Sequence, residues 1–247
     1  MRRQLMSVPI ARKGDRPKTF INGYGEVEWI PGSHPLVHSF KCELKAGHTV
    51  KPERFEDKTV VYCFVKGTGY ITTSEKAYNI QEISFFVPDF NHDTYAIYAS
   101  TDLEIMKFVI DMLESDKAKY RSSHMVLPMF KPLSAGEKYT QSCKGPHTTS
   151  WSIINPNKIG RILMRVVKGI GPGEGTIEKG HPSVDQWNYI LEGSDILMDV
   201  AGEKVNHHEG ELSYIYAGPD HSLVPAGEGK LAFYIWFEHQ TAEYKPE

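Results

Sequence analysis

The feature that most constrains this chain is a pattern of short apolar runs that occurs twice, about 125 residues apart. The first copy reads "AGHTVKPERFEDKTVVYCFVKGTG" and is followed by "QEISFFVPDFNH". The second reads "GPGEGTIEKGHPSVDQWNYILEGS" and is followed by "GELSYIYAGPDH". The closing segments, Gln81 to His92 and Gly210 to His221, each span 11 positions, and Gly67 and Gly193 close the preceding runs in the same way. Such a repeat indicates duplication, so both halves should share one fold.

The runs themselves are typical of β-strands. Examples are "VHSFKCEL", "TVVYCFV", "EIMKFVI", "RILMRVV", "QWNYIL" and "LAFYIWFE". Gly, Pro, Asn and Asp separate them at the spacing of a sandwich or barrel. Only "DMLESDKAKYRSS", residues 111–123, has a helical composition, and it lies between the two copies. We therefore predict an all-β chain with a short linking helix. The N-terminal domain would cover residues 1–115, and the linking helix and C-terminal domain would cover residues 116–247.

Composition and charge exclude several classes of protein. Hydrophobic residues make up 40% of the 247 residues, enough for a packed core, and the formal net charge of −3 gives no basic surface for nucleic acid. No apolar run approaches the ~18 residues that a membrane span needs. The basic opening "MRRQ" lacks the apolar segment of a signal peptide. The cysteines, Cys42, Cys63 and Cys143, are too scattered for a disulfide framework or a zinc ribbon. We expect a soluble cytoplasmic protein without nucleic-acid or membrane partners.

Two segments of the second copy carry a motif. In "GHPSVDQWNYILEG", His181 precedes Gln186 by five positions, and "GELSYIYAGPDH" ends in His221. These segments resemble the two conserved motifs of the cupin superfamily, and the doubled layout resembles a bicupin. The sequence departs from the first motif at two places, because Lys179 stands at its first histidine and Gln186 stands at its glutamate.

The resemblance implies two tandem jelly-roll barrels, the double-stranded β-helix of cupins, and a divalent transition metal in the C-terminal barrel. The metal ligands would be His181, Gln186 and His221, and Mn, Fe, Co, Ni and Zn all accept such nitrogen and oxygen donors. Asp185 and Glu178 are nearby carboxylates. Strand alternation predicts that both point away from the face that carries the ligands.

The first copy keeps little of this motif. Val60 stands at the glutamate position, and Phe55 and Glu53 stand where histidines are expected. His92 survives, but one imidazole without partners is not a metal site. We therefore predict that the N-terminal barrel binds no transition metal. It would be a scaffold, or a site for another kind of ligand.

Three further side chains are candidates for catalysis in the C-terminal barrel. Lys179 is either a solvated charge at the rim or a cation that faces the barrel and pairs with an anionic substrate. Asn188 shares the inward parity of Gln186 and is a candidate for substrate contact. Tyr234 belongs to an aromatic set on the barrel strands and offers a hydroxyl. We name Lys179, Asn188 and Tyr234 as candidate catalytic residues.

Two other pairs are expected to lie outside the site. Arg161 and Arg165 either extend outward along the surface or reach an anionic substrate, and the outward orientation is our expectation. His207 and His208 stand next to a predicted turn, where an exposed pair is the ordinary arrangement.

The leading functional hypothesis is a metal-dependent enzyme that acts on a small polar, anionic metabolite. Isomerase, dioxygenase, lyase and aminohydrolase chemistry all remain open. Among bicupins the layout is similar to that of the ureidoglycine aminohydrolases, but Pro182 stands where their pattern requires a histidine, so that activity is not carried over. The alternative is a bicupin that binds a small molecule without catalysis and has a vestigial metal site. Bicupins often associate through sheet edges, which implies a homodimer.

Overall fold

The computed structural model describes residues 8–90 and 92–240. Over these residues the chain is mainly β-structure with one α-helix, α1 (Glu114–Ser123). The prediction of an all-β chain with a short linking helix is confirmed. The helix begins slightly later than predicted, where the Asp116 carboxylate accepts a hydrogen bond from the main-chain N–H of Leu113 at 3.0 Å. Within the described ranges, no helix has the length and apolar character needed to cross a membrane.

The strands are short and follow one another through tight turns. Those of the first half are β1 (Ile10–Ala11), β2 (Tyr24–Trp29), β3 (Val37–Leu44), β4 (Thr49–Val50), β5 (Lys58–Lys66), β6 (Gly69–Thr72), β7 (Ala77–Ile80), β8 (Ser84–Val87), β9 (Ala96–Ala99), β10 (Leu103–Asp111), β11 (Met129–Pro132) and β12 (Glu137–Tyr139). Those of the second half are β13 (Thr149–Ile159), β14 (Ile162–Ile170), β15 (Thr176–Glu178), β16 (Val184–Ile190), β17 (Asp195–Val200), β18 (Glu203–His208), β19 (Leu212–Ile215), β20 (His221–Pro225) and β21 (Leu231–Gln240).

One of two compact units, called here the N-terminal barrel, contains residues 14–136 and 156–160. Its strands form a six-stranded sheet in the order β11-β8-β5-β10-β3-β2 and a four-stranded sheet in the order β4-β9-β6-β7. Buried aromatic and aliphatic residues from both sheets form its core, among them Phe64, Ile71 and Phe86. The unit is therefore a two-sheet barrel of the jelly-roll type.

The other unit, called here the C-terminal barrel, contains the described residues 8–13, 137–155 and 161–240. Its sheets have the orders β1-β19-β16-β21-β14-β13-β12 and β15-β20-β17-β18. The central order β19-β16-β21-β14 repeats the order β8-β5-β10-β3 of the N-terminal barrel. The prediction of two tandem jelly-roll barrels from one duplicated pattern is confirmed.

The two units are built from interleaved segments rather than from one division after residue 115. Strand β11 pairs with β8, so the residues that follow α1 extend the N-terminal barrel. Strand β1 pairs with β19, so residues 8–13 extend the C-terminal barrel. These edge strands lie outside the repeated motifs, and a boundary drawn from the motifs does not show them.

The sequence of the central strands explains why they form the cores. Strand β5 reads KTVVYCFVK and β10 reads LEIMKFVID, and their β-branched and aromatic side chains are buried on both faces. The repeated glycines follow β5 and its counterpart β16 with positive φ, 91° at Gly67 and 78° at Gly193. A Cβ at Gly67 would lie 2.1 Å from the main-chain oxygen of Asp102, so only glycine fits that turn.

A charged network joins β1 to the rest of the C-terminal barrel. Arg12 donates hydrogen bonds of 3.0 Å to both carboxylate oxygens of Glu211. Glu211 also accepts hydrogen bonds from the His207 ring at 3.1 Å and from the main-chain N–H of His208 at 2.9 Å. Burial alone would raise the pKa of Glu211, but these hydrogen bonds outweigh it and lower the pKa to about 2. The expectation of an exposed histidine pair is wrong for His207, which is fully buried at the end of β18.

Acid should weaken this network. Because the pKa of Glu211 is lower in the folded chain than its ordinary value of 4.5, its charge stabilises the fold above about pH 4.5, and this stabilisation is lost as the pH falls toward 2. Hydrogen bonds to a charged group contribute about 1.5–3 kcal/mol, so Glu211→Gln should lower the thermal midpoint at neutral pH by several degrees. The deficit should shrink between pH 4.5 and pH 3 in thermal unfolding experiments. Glu203→Gln on β18 is the control, and a Glu211→Gln deficit that is constant over this range would contradict the prediction.

Candidate metal centre

Three potential metal ligands meet inside the C-terminal barrel. Glu178 ends β15 and His221 begins β20, and the register of these two strands places the residues opposite each other. His181 lies in the loop between β15 and β16. The ligand atoms that the three side chains offer all lie within 4.8 Å of one another. The four-stranded sheet thus supplies a carboxylate and an imidazole, and the loop supplies a second imidazole.

The histidine–carboxylate distance within this cluster suits a shared ion. Nε2 of His221 lies 3.7 Å from Oε2 of Glu178. The rings of His181 and His221 have centroids 5.4 Å apart and stand nearly perpendicular, at 84°. Two ligand atoms that are each ~2.1 Å from one ion lie roughly 3 to 4.2 Å apart, so the histidine–carboxylate separation falls in the required range.

Hydrogen bonding leaves ring nitrogens available to an ion. The Nδ1–H of His221 donates to the main-chain oxygen of Pro219 at 3.1 Å, which leaves Nε2 with its lone pair. Within the described part of the chain, neither this Nε2 nor either ring nitrogen of His181 has a hydrogen-bond partner, although all three atoms are buried. Buried polar atoms are nearly always partnered in folded proteins. The donor set therefore fits a divalent metal ion.

The third predicted ligand, Gln186, borders this cluster. It lies on β16 opposite Glu238 of β21, and Oε1 of Glu238 is 3.8 Å from Nε2 of His181. The side-chain Nε2 of Gln186 donates to Oδ1 of Asn188 at 2.8 Å. Its Oε1, the atom that would bind a metal, is buried and has no hydrogen-bond partner among the described residues. The amide orientation thus leaves the oxygen for a ligand, and the role of Gln186 stays a prediction.

The electrostatics of the interior also favour a cation. Burial, and then the negative charge of Glu178, raise the pKa of Glu238 to about 8, against the opposing effect of Arg165 and Lys144. Two carboxyl groups that share a buried site resist double ionisation. A divalent ion would offset that repulsion with its own charge.

Two cationic side chains line the same interior. The guanidinium carbon of Arg165 lies 4.3 Å from the ring centroid of Tyr139 and 5.5 Å from that of Trp236. The ammonium of Lys144 lies 5.4 Å from the Trp236 centroid and donates to Oγ1 of Thr176 at 2.7 Å. Burial lowers the pKa of Lys144. The expected outward orientation of Arg165 is wrong, because its cross-strand partner on β21 is Trp236, whose ring packs into the barrel core.

Lys179, a predicted catalytic residue, lies at the rim of the barrel. Its side chain is 91% exposed, and its ammonium pairs with the Asp220 carboxylate at 3.0 Å. The two residues line a surface cleft of about 410 Å³ that also reaches Glu178 and His221. Lys179 is therefore a solvated charge at the rim, one of its two predicted roles, because Asp220 at the rim supplies its counter-charge. The other prediction, in which Lys179 faces the barrel interior, is wrong.

The other two predicted catalytic residues are buried. Asn188 is fully buried and accepts the hydrogen bond of Gln186, so its evident effect is to orient that amide. The hydroxyl of Tyr234 lies 2.5 Å from Oγ1 of Thr176, which in turn accepts the hydrogen bond of Lys144. Burial raises the pKa of Tyr234 far above its ordinary value, so the phenol stays protonated. Catalytic roles for both residues stay predictions.

Sequence reasoning misplaced Glu178. Alternation predicted that it would point away from His181. That prediction is wrong because residues 179–183 lie outside strands, and β15 and β16 belong to different sheets, so parity does not carry from one to the other. Asp185 does face other partners, since it accepts a hydrogen bond of 2.8 Å from the Tyr214 hydroxyl.

Gly180 allows the loop to approach closely. A Cβ at this position would lie 1.9 Å from the main-chain oxygen of Gly218. The main-chain N–H of Gly180 donates to the Asp220 carboxylate at 2.9 Å. The loop that carries His181 is thus fixed against the segment that leads to His221.

Among the residues that the structure describes, the motif histidine of the N-terminal barrel belongs to no such cluster. The side chain of His92 is 88% exposed, and its Nδ1 lies 3.6 Å from the Asp89 carboxylate. The absence of a transition metal from this barrel stays a prediction.

Comparison with known proteins assigns the fold. No family model and no curated protein matches the chain. A Pseudomonas aeruginosa protein described as glyoxylate-induced superposes with a TM-score of 0.76 over 100% of this chain and 93% of its own, at 11% identity. A deletion mutant of Bacillus subtilis oxalate decarboxylase superposes with a TM-score of 0.70 over 98% of this chain and 80% of its own, at 13% identity. A cupin 2 conserved barrel domain protein from Leptotrichia buccalis superposes with a TM-score of 0.58 over 88% of this chain and 89% of its own, at 15% identity. The chain therefore has the fold of a bicupin of the cupin superfamily.

Proposed function

We propose that the C-terminal barrel is a metal-dependent enzyme that acts on a small organic anion. The observation that carries the proposal is the cluster of Glu178, His181 and His221, in which three buried imidazole nitrogens have no hydrogen-bond partner among the described residues. These residues would hold the ion, and Oε1 of Gln186 is the candidate for a fourth ligand. Such an ion, when bound, polarises a substrate oxygen as a Lewis acid. Three protein ligands leave coordination positions open, which is typical of catalytic rather than structural sites.

The anionic character of the substrate is inferred from Arg165 and Lys144. A guanidinium matches the two oxygens of a carboxylate, and its buried Nε has no partner among the described residues. The rings of Trp236 and Tyr139 lie at cation–π distance from the Arg165 guanidinium and favour its direction. The name of one structural neighbour, oxalate decarboxylase, also refers to a small carboxylate, which supports this substrate class.

The proposal is tested by turnover. Protein loaded in turn with Mn, Fe, Co, Ni and Zn is incubated with oxalate, malonate, glyoxylate and small hydroxy acids, and products are followed by NMR. The product identifies the reaction type, and His221→Ala serves as the metal-deficient control. Binding of these acids without turnover by any loaded form would favour the non-catalytic alternative.

Arg165→Gln should weaken the binding of malonate to the metal-loaded protein by about tenfold or more, because a hydrogen bond between charged groups contributes ~1.5–3 kcal/mol. Isothermal titration calorimetry measures the effect. The control is Lys168→Gln on the same strand, where the exposed ammonium lies beside the Phe233 ring. Equal malonate affinities in wild type and Arg165→Gln would remove Arg165 from the substrate site.

A further inference from the structure

The N-terminal barrel contains a cavity of about 550 Å³. Its floor includes the buried side chains of Val60, Tyr62 and Val109, and Phe40 and Phe55 contribute aromatic walls. Sites for small molecules in proteins have volumes of roughly 300–1,000 Å³ and mostly apolar linings with a few polar groups. The cavity has this size, and its lining combines aromatic and aliphatic side chains with charged ones, among them Glu26 and Lys107.

A charged pair lies in the wall of this cavity. Nζ of Lys107 is 2.5 Å from Oε2 of Glu26, and the Tyr24 hydroxyl donates to the same oxygen at 2.6 Å. The Lys107 side chain is only 13% exposed, and its Nζ lies 4.5 Å from the Phe40 ring centroid. An ammonium has three donors and a carboxylate has two oxygens. Lys107 therefore keeps donors, and Glu26 keeps Oε1, for a ligand in the cavity that both residues line.

Charges of both signs lie around the cavity. Lys58 pairs with Asp111 at 2.7 Å, and Lys107 pairs with Glu26. At the mouth, Lys51 and Glu53 supply one charge of each sign. A ligand with a single negative charge would be attracted by Lys107 and repelled by Glu26. A ligand with a single positive charge would be attracted by Glu26 and repelled by Lys107. A ligand that carries both charges satisfies both partners.

The corresponding position of the C-terminal barrel also holds a cation against an aromatic ring. Lys107 of β10 and Phe40 of β3 are cross-strand partners, and so are Trp236 of β21 and Arg165 of β14. Because β10 and β3 correspond to β21 and β14, the cation and the ring lie on opposite members of the strand pair in the two barrels. Among the described contacts of these two cations, Lys107 forms a short hydrogen bond to a carboxylate and Arg165 does not. The two interiors should therefore select ligands of different charge.

We propose that the N-terminal barrel is a metal-independent binding site for a small zwitterion with an apolar body, such as an α-amino acid with an aromatic or aliphatic side chain. Its carboxylate would accept hydrogen bonds from Lys107, and its ammonium would donate to Glu26. The apolar body would lie against Phe40, Phe55 and Val109.

The test uses the full chain in the presence of a chelator, so that the C-terminal centre plays no part. Titration calorimetry compares L-phenylalanine with 3-phenylpropanoate, which lacks the ammonium, and with phenethylamine, which lacks the carboxylate. We expect a single site for L-phenylalanine, with each analogue at least tenfold weaker because it loses a charge-assisted hydrogen bond. Lys107→Gln should weaken L-phenylalanine at least tenfold, and Lys76→Gln, at an exposed lysine outside the cavity, should not.

A second measurement does not depend on the folding of a variant. Crystals of the wild-type protein soaked with 4-bromo-L-phenylalanine should show anomalous bromine density in the cavity, with the amino-acid group at Lys107 and Glu26. Absence of L-phenylalanine binding, equal affinity for the singly charged analogues, or bromine density only elsewhere would overturn the proposal.

Discussion

His221→Ala should leave the purified protein without its metal. The substitution removes one of the two imidazoles of the cluster, the one with its Nδ1–H held by Pro219 and its Nε2 directed at Glu178. Changes to residues that only support a ligand already lower metal affinity about 10–100-fold, so removal of a ligand should lower it by more than about 100-fold. Metal analysis of the purified variant measures the loss. The wild type should also lose thermal stability when a chelator is added, since an ion at 100 times its Kd stabilises a fold by about 2.7 kcal/mol. The variant should show no such response.

His208→Ala is the matched control for this experiment. His208 ends β18, is exposed, and pairs with Asp195 at 3.3 Å, outside the cluster. Its metal content and its response to chelator should equal those of the wild type. Equal metal content in His221→Ala and wild type would refute the proposed centre. A wild type that takes up no divalent metal would identify the centre as vestigial.

Gly180→Ala should weaken metal binding without removing a ligand. The added Cβ would lie 1.9 Å from the main-chain oxygen of Gly218, so the loop that carries His181 must move away from its neighbour. Metal sites need their ligands within about 0.5 Å of the productive geometry, and a displacement larger than this should lower the affinity at least tenfold. Competition with a metal-sensitive dye measures the affinity directly.

The control for this substitution is Gly227→Ala. Gly227 has open space around its Cβ position and an ordinary backbone conformation. Its metal affinity should match that of the wild type. Unchanged affinity in Gly180→Ala would show that the loop adapts to the methyl group without moving the His181 ring.

Much of the fold could be predicted because apolar runs and turn residues are local signals. Strands β3, β5, β10 and β21 fall on runs of β-branched and aromatic residues that were predicted within a residue or two. Strand β13 was missed because its sequence, TSWSIINPNKI, mixes polar residues and a proline with the apolar ones. Strand β18 was missed because its sequence, EKVNHH, resembles a turn. Pairing with neighbouring strands, rather than local propensity, stabilises both of these strands.

The candidate site was predictable only where its residues belong to a motif. His181 and His221 were singled out by their spacing, and the structure brings them together. The place of Glu178 in the cluster was not predicted, because its neighbour in space, His221, is more than 40 residues away in the chain. The register of β15 against β20 cannot be seen in one sequence. Lys144 was not considered and the direction of Arg165 was predicted wrongly for the same reason, since aromatic partners on distant strands favour their directions.

The position of β1 has a consequence for how the chain is made. Ile10 pairs with Ser213, so the partner of β1 is synthesised about 200 residues after β1 itself. At ~5–20 residues per second, this interval is roughly 10 to 40 s. Nearly all of the N-terminal barrel, residues 14–136, is synthesised within it. Strand β1 can join its native partner only after β19 has emerged, and the seven-stranded sheet of the unit that holds the candidate metal centre is complete only once β21 has been made as well.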